Sequence, residues 1–387
     1  MIARRALLLA ALLAAPTAWA RPPAGGLDIR AIERRRLTPQ ADALLAAVPR
    51  TIAAIAAPRS PAGPQDYYSE GDYWWPDPAN PGGPYIRRDG RSNPDKFDGH
   101  RDALIAFGRT VPALAALWDL TGETSFADAA MRHLTAWFVD PKTRMNPNLN
   151  HAQAIIGVNT GRAIGVIDTL QIVEVARAAA LFARRDAPGY AAIRVGVEGW
   201  FTAYLDWLTT SPFGVTERDE KNNHGTCWLL QVSSFAALLG RQDILADART
   251  RLQAVIIPTQ ITPDGRQPLE LARTKPYAYA LFNLDVLAAS AWLLGGRELI
   301  DWKTPDGRSI GGAIAWMAPY ITDKTKWPLP PDIEYRDGFP VRQPSLLFGG
   351  LAQKRGDWLD LWQRLDPDPT IGEVVRNFPV RQPLLWL

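Results

Sequence analysis

Residues 221–228 read Lys-Asn-Asn-His-Gly-Thr-Cys-Trp and lead directly into an apolar run that continues to Leu239. Asparagine is a frequent helix cap because its side-chain oxygen accepts hydrogen bonds from the unpaired backbone N–H groups of the first turn. The pattern therefore predicts a helix over 223–239 that begins with two amides and a histidine, Asn222, Asn223 and His224. These residues could act only as a cap, or they could take part in chemistry.

The chain from residue 99 onward shows the same helical spacing of apolar residues, in segments divided by short turns that contain glycine or proline. We predict helices over 101–120, 125–138, 151–182, 190–209, 223–239, 241–257, 277–294, 310–317 and 345–364. Successive helix hairpins of similar length, without an intervening linker, indicate one all-α domain built as a closed or nearly closed ring of helix pairs. Such a ring would gather loops and helix ends around a central cleft.

The N-terminal part of the chain has a different pattern. Residues 27–57 show helical spacing that is broken near Pro39 and Pro49. Residues 58–98 are rich in proline and glycine, which excludes a regular helix. They also carry a cluster of aromatic side chains, namely Tyr67, Tyr68, Tyr73, Trp74, Trp75 and Tyr85. Because buried aromatic rings can offset the entropy of ordering, we predict a long, ordered aromatic loop over a binding face, part of which closes as a lid.

Residues 1–20 have the three parts of a secretory signal: Arg4 and Arg5, an apolar stretch over 6–15, and small residues that end at Ala20. Cleavage after Ala20 would leave a periplasmic or secreted chain of residues 21–387. Without the two signal arginines the 43 basic residues become 41, against 40 acidic ones, so the charge does not suggest a nucleic-acid partner. No later stretch resembles a run of about twenty apolar residues, so no membrane partner is expected.

Several kinds of catalytic site lack support in the sequence. The four histidines show no metal-binding spacing, so no metal site and no cofactor are predicted. Ser233 and Ser234 do not follow a nucleophile elbow, and Cys227 lacks a catalytic-cysteine context. Nucleophilic catalysis by serine or cysteine is therefore not expected.

A second polar cluster lies at residues 270–279, which read Glu-Leu-Ala-Arg-Thr-Lys-Pro-Tyr-Ala-Tyr. Arg273, Tyr277 and Tyr279 precede another apolar helix, as the amides and the histidine do at 222–224. The cluster could be a surface turn whose aromatic rings pack inward. Alternatively, the two clusters meet across the cleft and form one site.

These segments, taken together, resemble the alginate lyase family and its relatives that act on glucuronan. The resemblance covers most of the chain from Tyr67 to Asn283 and, more loosely, Lys326-Trp327-Pro328 and Pro383-Leu384-Leu385-Trp386. It is carried by Lys-Asn-Asn-His at 221–224, Pro-Leu-Glu-Leu-Ala-Arg-Thr-Lys at 268–275, Leu-Phe-Asn-Leu at 281–284, Asn-Thr-Gly-Arg at 159–162, Ile-Asp-Thr at 167–169, Tyr-Trp-Trp-Pro-Asp-Pro at 73–78 and Pro-Tyr-Ile-Arg-Arg-Asp-Gly at 84–90.

The resemblance implies an incomplete (α/α) toroid and assigns catalytic roles to Asn223, His224, Arg273 and Tyr279. Two details differ from standard alginate lyases. Gly-Thr-Cys-Trp follows the histidine where Ser-Tyr-Trp is common, and six residues separate Arg273 from Tyr279 instead of seven. Both differences point to a sister branch and leave glucuronan and mannuronate-rich alginate as alternative substrates.

The implied chemistry is β-elimination on a polyuronate without a metal. Arg273, Asn223 and His224 would neutralise the uronate carboxylate, which makes the C5 proton more acidic. Tyr279 would then move the proton, provided that a nearby cation lowers its pKa, although Tyr277 is an alternative acid/base. Further substrate contacts are expected from Trp74, Trp75, Arg87, Arg88, Gln153, Arg162 and Tyr277.

Two other functions stay open at this point. A glycoside hydrolase on the same kind of toroid would need paired carboxylates, and four acids could converge to supply them: Asp98, Asp102, Asp168 and Glu270. A non-catalytic sugar-binding protein would need only the aromatic loop.

Overall fold

The computed structural model describes residues 27–387. The predicted signal, residues 1–20, lies outside them. The described chain is mainly helical, which confirms the all-α prediction. Its α-helices are α1 Ile29–Leu37, α2 Ala41–Ala46, α3 Gly99–Thr121, α4 Thr124–Leu134, α5 Val173–Arg184, α6 Tyr190–Thr210, α7 Pro212–Asp219, α8 Asn223–Leu239, α9 Gln242–Arg251, α10 Ile257–Gln260, α11 Pro268–Leu271, α12 Pro276–Gly295, α13 Arg297–Asp301, α14 Ile310–Thr322, α15 Pro344–Gln353, α16 Gly356–Arg364 and α17 Gly372–Arg376.

Five helices pack in succession around the centre of the fold: α3 on α5, α5 on α8, α8 on α12, and α12 on α15. A second layer covers them from outside, with α4 on α3, α6 and α9 on α8, α13 and α14 on α12, and α16 on α15. Leu, Val, Ala and aromatic side chains of both layers form one continuous hydrophobic core. The result is a curved double layer of helix pairs, as the succession of hairpins in the sequence predicts.

Local signals explain the ends of the two central helices. Asn222 caps α8 by accepting a hydrogen bond from the His224 backbone N–H at 3.0 Å, and Gly240 ends it with a left-handed φ of 68°. Helix α12 begins at Pro276, where the missing N–H costs nothing, and ends at Gly296 with a φ of 58°. Both helix starts therefore lie at the polar clusters that the sequence singles out.

The helix predicted over 151–182 is wrong in its first half. His151–Ala154 forms strand β4, and residues 163–172 form a 3₁₀ helix before α5 begins. β4 pairs in parallel with strand β1, Tyr68–Glu70, with Tyr68 opposite His151. Gly161 lies so close to the Asn150 carbonyl oxygen that a Cβ atom would approach it to 2.0 Å. Pairing with a distant strand overrides the helical pattern here.

A second correction concerns the helix predicted over 345–364. It is two helices, α15 and α16, because Lys354 adopts a left-handed φ of 55° between them. Smaller differences are π-helical turns at Thr135–Val139 and Leu252–Ile256, which lie within predicted helices.

The aromatic loop of residues 58–98 is ordered, as predicted. After β1 it forms a hairpin of strands β2, Trp74–Trp75, and β3, Ile86–Arg87, in which Trp74 pairs with Arg87. The loop is fastened at its far end, where the Ser92 backbone N–H donates to Glu334 at 3.3 Å. Trp74 and Arg87 of this hairpin line the cleft.

Helices α3 and α12 are long and apolar enough to cross a membrane by length and composition alone, contrary to the expectation from the sequence. In each, 72% of the apolar window is buried inside the protein. Core helices of globular proteins pass the same test, and the burial accounts for their apolar character.

Candidate active site

A cleft of about 260 Å³ opens between the aromatic loop and the N-terminal ends of α8 and α12. It brings the two polar clusters of the sequence together. Eight of the predicted site residues line it: Trp74, Arg87, Gln153, Arg162, Asn223, His224, Arg273 and Tyr279.

Asn223 is fixed by a buried carboxylate. Its backbone N–H donates to Glu270 Oε1 at 2.7 Å, and its side-chain amide donates to Glu270 Oε2 at 2.8 Å. Both residues are at most 2% exposed. Because an NH₂ group carries two hydrogens, one donor of Asn223 is held by Glu270 and the other is free to bind a ligand.

His224 is held by a second buried carboxylate, Glu217 in α7. His224 Nδ1 lies 2.8 Å from Glu217 Oε1, and Glu217 is fully buried. Burial alone would lower the pKa of His224, but the negative charge and hydrogen bond of Glu217 more than offset it, so the pKa is raised. The imidazole therefore favours its charged form, with Nδ1–H directed to Glu217 and Nε2 left for the cleft.

Arg273 connects the aromatic loop to Tyr279. Its Nη2 lies 3.3 Å from Asp89 Oδ1 and 3.3 Å from the Tyr279 hydroxyl, and its Cζ lies 4.3 Å from the Tyr279 ring centroid. The side chain is 22% exposed, so a ligand in the cleft can reach it. An arginine in this place offers a planar pair of donors to a carboxylate.

Tyr279 shares a short hydrogen bond with Tyr73 of the aromatic loop, which is not among the predicted site residues. The hydroxyls of Tyr279 and Tyr73 are 2.6 Å apart. Burial raises the pKa of Tyr279 well above its ordinary value, Tyr73 adds to the shift, and Arg273 and Lys275 offset only part of it. The two cations therefore act in the expected direction, but burial outweighs them, and the pKa of Tyr279 is raised and not lowered.

Gln153 and Arg162 form the floor of the cleft. Arg162 donates to the Gln153 carbonyl oxygen at 2.7 Å and to its Oε1 at 3.2 Å, and its Cζ lies 5.7 Å from a Trp74 ring. Gln153 has a left-handed φ of 50°, an uncommon backbone conformation for this residue type that points to a functional constraint. The buried Asp168 holds the Gln153 side chain in place. It accepts hydrogen bonds from Gln153 Nε2 at 3.2 Å and from the Ser69 hydroxyl at 2.6 Å.

The C-terminal helix α17 supplies cleft residues that no sequence pattern indicated. Glu373 accepts from Lys275 Nζ at 2.9 Å, and Arg376 binds both Glu373 at 3.2 Å and Asp72 at 2.9 Å. These residues close the cleft on the side of Tyr73. A short amphipathic helix far from the motifs gives no signal of its own in a single sequence.

Three predicted substrate contacts lie elsewhere. Tyr277 is fully buried, donates its hydroxyl to the Tyr320 carbonyl oxygen at 3.0 Å and packs on Trp327, so it is a core residue and not an alternative acid/base. Trp75 and Arg88 do not line the cleft and stack on each other, with the Arg88 Cζ 5.1 Å from the Trp75 ring.

The four acids considered for a glycoside hydrolase do not line the cleft. Asp168 accepts from Tyr67 and Ser69 in the interior, Glu270 binds Asn223, and Asp102 lies on the surface. Within residues 27–387, no group of three or more His, Cys, Asp or Glu side chains is arranged to hold a metal ion. The cleft wall instead holds an amide, an imidazole, a guanidinium and a phenol, together with the carboxylates of Asp72, Glu220 and Glu373. Asp72 and Glu373 are both paired with Arg376.

Comparison with known proteins agrees with this geometry. Residues 53–327 match the sequence profile of the alginate lyase family. The fold is similar to a crystal structure of an alginate lyase from Bacteroides ovatus, with a TM-score of 0.78, 29% identity, and coverage of 92% of this chain and 93% of that one. No curated protein sequence matches this chain at a significant level.

Alginate lyase A1-III from Sphingomonas species A1 shares the fold alone. Its structure has a TM-score of 0.50 and 17% identity, and the match covers 86% of this chain and 88% of that one. A variant of A1-III in complex with a tetrasaccharide gives a TM-score of 0.53 and 16% identity, with 94% and 91% coverage. The predicted toroid is thereby confirmed. Because the family profile covers well over half of the sequence, the chain belongs to the alginate lyase family and is a polysaccharide lyase.

Proposed function

We propose that this lyase cleaves a β-1,4-linked polyuronate, either glucuronan or mannuronate-rich alginate, by metal-independent β-elimination that leaves 4,5-unsaturated uronate ends. The observation that carries the proposal is the convergence of Asn223, His224, Arg273 and Tyr279 on one cleft. Each of these groups has a separate task in the reaction.

The first task is to neutralise the uronate carboxylate at the cleaved linkage. Arg273, the free amide hydrogen of Asn223 and the Nε2–H of charged His224 are the donors available for it. Preorganised donors of this kind stabilise the enolate-like charge that develops when C5 loses its proton. Glu270 and Glu217 hold two of the three donors in place, so little reorganisation is needed during the reaction.

The second task is proton transfer by Tyr279. As a phenolate it takes the C5 proton, the C5–H electron pair forms the C4=C5 double bond, and the C4–O4 bond breaks. The Tyr279 hydroxyl then returns the proton to O4 on the same face of the sugar, which regenerates the phenolate. The raised pKa makes the phenolate scarce at neutral pH but a strong base once formed.

The cleft has the features that a charged sugar polymer needs. Trp74 offers an aromatic face, while Arg87 and Arg162 offer cations for neighbouring carboxylates. Mannuronate and glucuronate have the same arrangement at C4 and C5 and differ at C2, so one syn elimination serves both. The secretory signal expected at residues 1–20 supports the further proposal that the enzyme acts in the periplasm or outside the cell.

The experiment is a substrate panel. Purified protein is incubated with polymannuronate, glucuronan and pectate, and the ultraviolet absorbance of the unsaturated product is recorded. We expect a rise with polymannuronate or glucuronan. A hydrolase would give new reducing ends without ultraviolet absorbance, and a binding protein would give no new chain ends. The absence of unsaturated product with every polyuronate would contradict the proposal.

A further inference from the structure

Two cations lie over the Tyr279 ring, and they differ in accessibility. Arg273 is 22% exposed and lines the cleft. Lys275 is only 3% exposed, with its Nζ 5.3 Å from the Tyr73 ring centroid and 5.8 Å from that of Tyr279. A substrate in the cleft can therefore contact Arg273 but cannot reach the Lys275 ammonium group.

This difference matters once substrate is bound. In the proposed function, Arg273 binds the uronate carboxylate, whose negative charge offsets the positive charge that Arg273 otherwise directs at Tyr279. The phenolate needed for proton abstraction then lies close to an added anion. Of the two cations in contact with the Tyr279 ring, only Lys275 keeps its charge directed at the phenols.

Lys275 is held in its charged form by the C-terminal helix. Burial would lower its pKa, but Glu373 at 2.9 Å and Tyr279 more than offset the loss of solvation, and the pKa is raised. Glu373 shares its charge with Arg376 at 3.2 Å, so Lys275 is only partly neutralised. The other charged or titratable groups on the cleft wall are Asp72, Arg87, Arg162, Glu220 and His224. Asp72 is paired with Arg376, and Asp89 pairs with Arg273.

We propose that Lys275 is a positioning residue for the proton transfer: its buried ammonium group stabilises the Tyr279 phenolate while substrate occupies Arg273, and Glu373 of α17 anchors it there. The proton balance is that of the elimination itself, since Tyr279 gains the C5 proton and passes it to O4. The kinetic part of this inference rests on the proposed function.

The test compares Lys275→Met, which removes the charge, with Lys275→Arg, which keeps it. An opposite charge within about 4–6 Å shifts a pKa by one or more units, and each unit changes the phenolate fraction tenfold below the pKa. We expect Lys275→Met to lower kcat at least about tenfold with little change in KM, and Lys275→Arg to restore most of it. Equal losses in both variants at unchanged melting temperature, or an unaltered kcat in Lys275→Met, would overturn the proposal.

A second readout does not depend on activity. Protein labelled with fluorotyrosine is titrated by ¹⁹F NMR, and Tyr279→Phe identifies the Tyr279 resonance. The titration midpoint of Tyr279 should lie about one pH unit higher in Lys275→Met than in the wild type, and it should not rise in Lys275→Arg. An unmoved midpoint refutes the role of Lys275 even if the substrate panel succeeds, whereas a moved midpoint with an inactive wild type refutes only the polyuronate assignment.

Discussion

Tyr279 and Tyr277 lie two residues apart in the sequence and have opposite surroundings in the fold. The Tyr279 hydroxyl faces the cleft and touches Tyr73 and Arg273, whereas the Tyr277 hydroxyl donates to a backbone carbonyl in the core. Successive side chains in a helix such as α12 are rotated by about 100° around its axis. Two residues apart, Tyr277 and Tyr279 therefore point to different faces of the helix. Sequence alone left both as candidates for the acid/base.

Replacing Tyr279 by Phe should remove the group that moves the proton while keeping the ring against Arg273. We expect kcat to fall at least about a hundredfold with little change in melting temperature. Tyr277→Phe is the matched control, and it should retain turnover and lose about 1 kcal/mol of stability with its buried hydrogen bond. Loss of turnover in the control but not in Tyr279→Phe would reverse the assignment. Absorbance assays and thermal melts on both variants decide the matter.

The His224–Glu217 pair sets the expected pH dependence. Because Nδ1–H is directed to Glu217, Nε2 can donate to a substrate carboxylate only when the His224 ring carries both protons. Tyr279, in contrast, must be ionised. The active state therefore holds one proton fewer than the state in which His224 and Tyr279 are both protonated. Because the pKa of His224 is raised and that of Tyr279 is higher still, kcat/KM should rise tenfold per pH unit below the His224 pKa. It should then level off above that pKa, at a pH above the ordinary histidine value.

Glu217→Gln tests this reading of the pH profile. Removing the anion that raises the pKa of His224 should move the acid limb to lower pH and lower the plateau, since fewer molecules then hold a charged His224 beside an ionised Tyr279. A limb that moves to higher pH, or a profile without an acid limb, would contradict the assignment. Kinetics across the pH range for wild type and variant provide the measurement.

Sequence reasoning found the residues that lie in short motifs at helix starts and missed those that support them. Asn223, His224, Arg273 and Tyr279 stand next to strong apolar patterns. Glu217 of α7 holds His224 from the interior, and Tyr73 and Glu373 line the cleft from the aromatic loop and α17. Only tertiary packing shows their partners. Supporting residues are determined by what they touch, which a single sequence does not record.

At the level of elements, α8 and α12 are predictable because an apolar pattern and a terminal glycine agree at each of them, with the Asn222 cap at the start of α8 and Pro276 at the start of α12. Residues 151–162 were not, since β4 pairs with a strand about eighty residues earlier in the chain. Pairing of that kind is decided by non-local contacts that overcome a helical pattern.

The close approach of α3 to the 3₁₀ segment Ala163–Ile172 gives an element-level prediction. A Cβ atom on Gly108 of α3 would lie 2.1 Å from the Gln171 carbonyl oxygen, so Gly108→Ala should force the segments apart and cost about 1–3 kcal/mol of unfolding free energy. Gly199 in α6 is exposed and meets nothing within 4 Å, so Gly199→Ala is the matched control and should stabilise by about 0.5–1 kcal/mol. Urea unfolding of both variants measures the difference, and equal effects would contradict the packing account.

At the scale of the molecule, the succession of hairpins predicts the double layer of helices. It does not predict how the C-terminal segment, residues 377–387, packs against that double layer. Glu174 of α5 accepts three hydrogen bonds from that segment on one oxygen: from the backbone N–H groups of Arg381 and Gln382 at 3.0 and 2.9 Å, and from Trp386 Nε1 at 2.8 Å. The segment is short and irregular, so its docking leaves no periodic pattern in the sequence.

Removing the Glu174 acceptor should destabilise the docking of the segment that follows α17. Because Glu373 and Arg376 of α17 line the cleft, we expect their positions to become less fixed as well. Glu174→Ala leaves buried donors unpaired at about 1–3 kcal/mol each, whereas Glu174→Gln keeps one acceptor oxygen and should cost less. We expect Glu174→Ala to be the less stable variant in urea unfolding and to show faster hydrogen exchange over residues 372–387. Equal stability of the two would contradict this role.

The central claim, that the cleft performs elimination and not hydrolysis, is tested most directly by weighing the products of one defined oligosaccharide. Wild-type protein is incubated with a polymannuronate or glucuronan oligomer of known length, and the two products of a single cleavage are identified by mass spectrometry, with Tyr279→Phe as the inactive control. Elimination predicts that the two product masses sum to that of the substrate, with the double bond on the fragment that carries the new non-reducing end. A sum larger by one water molecule, with two saturated products, would contradict the account.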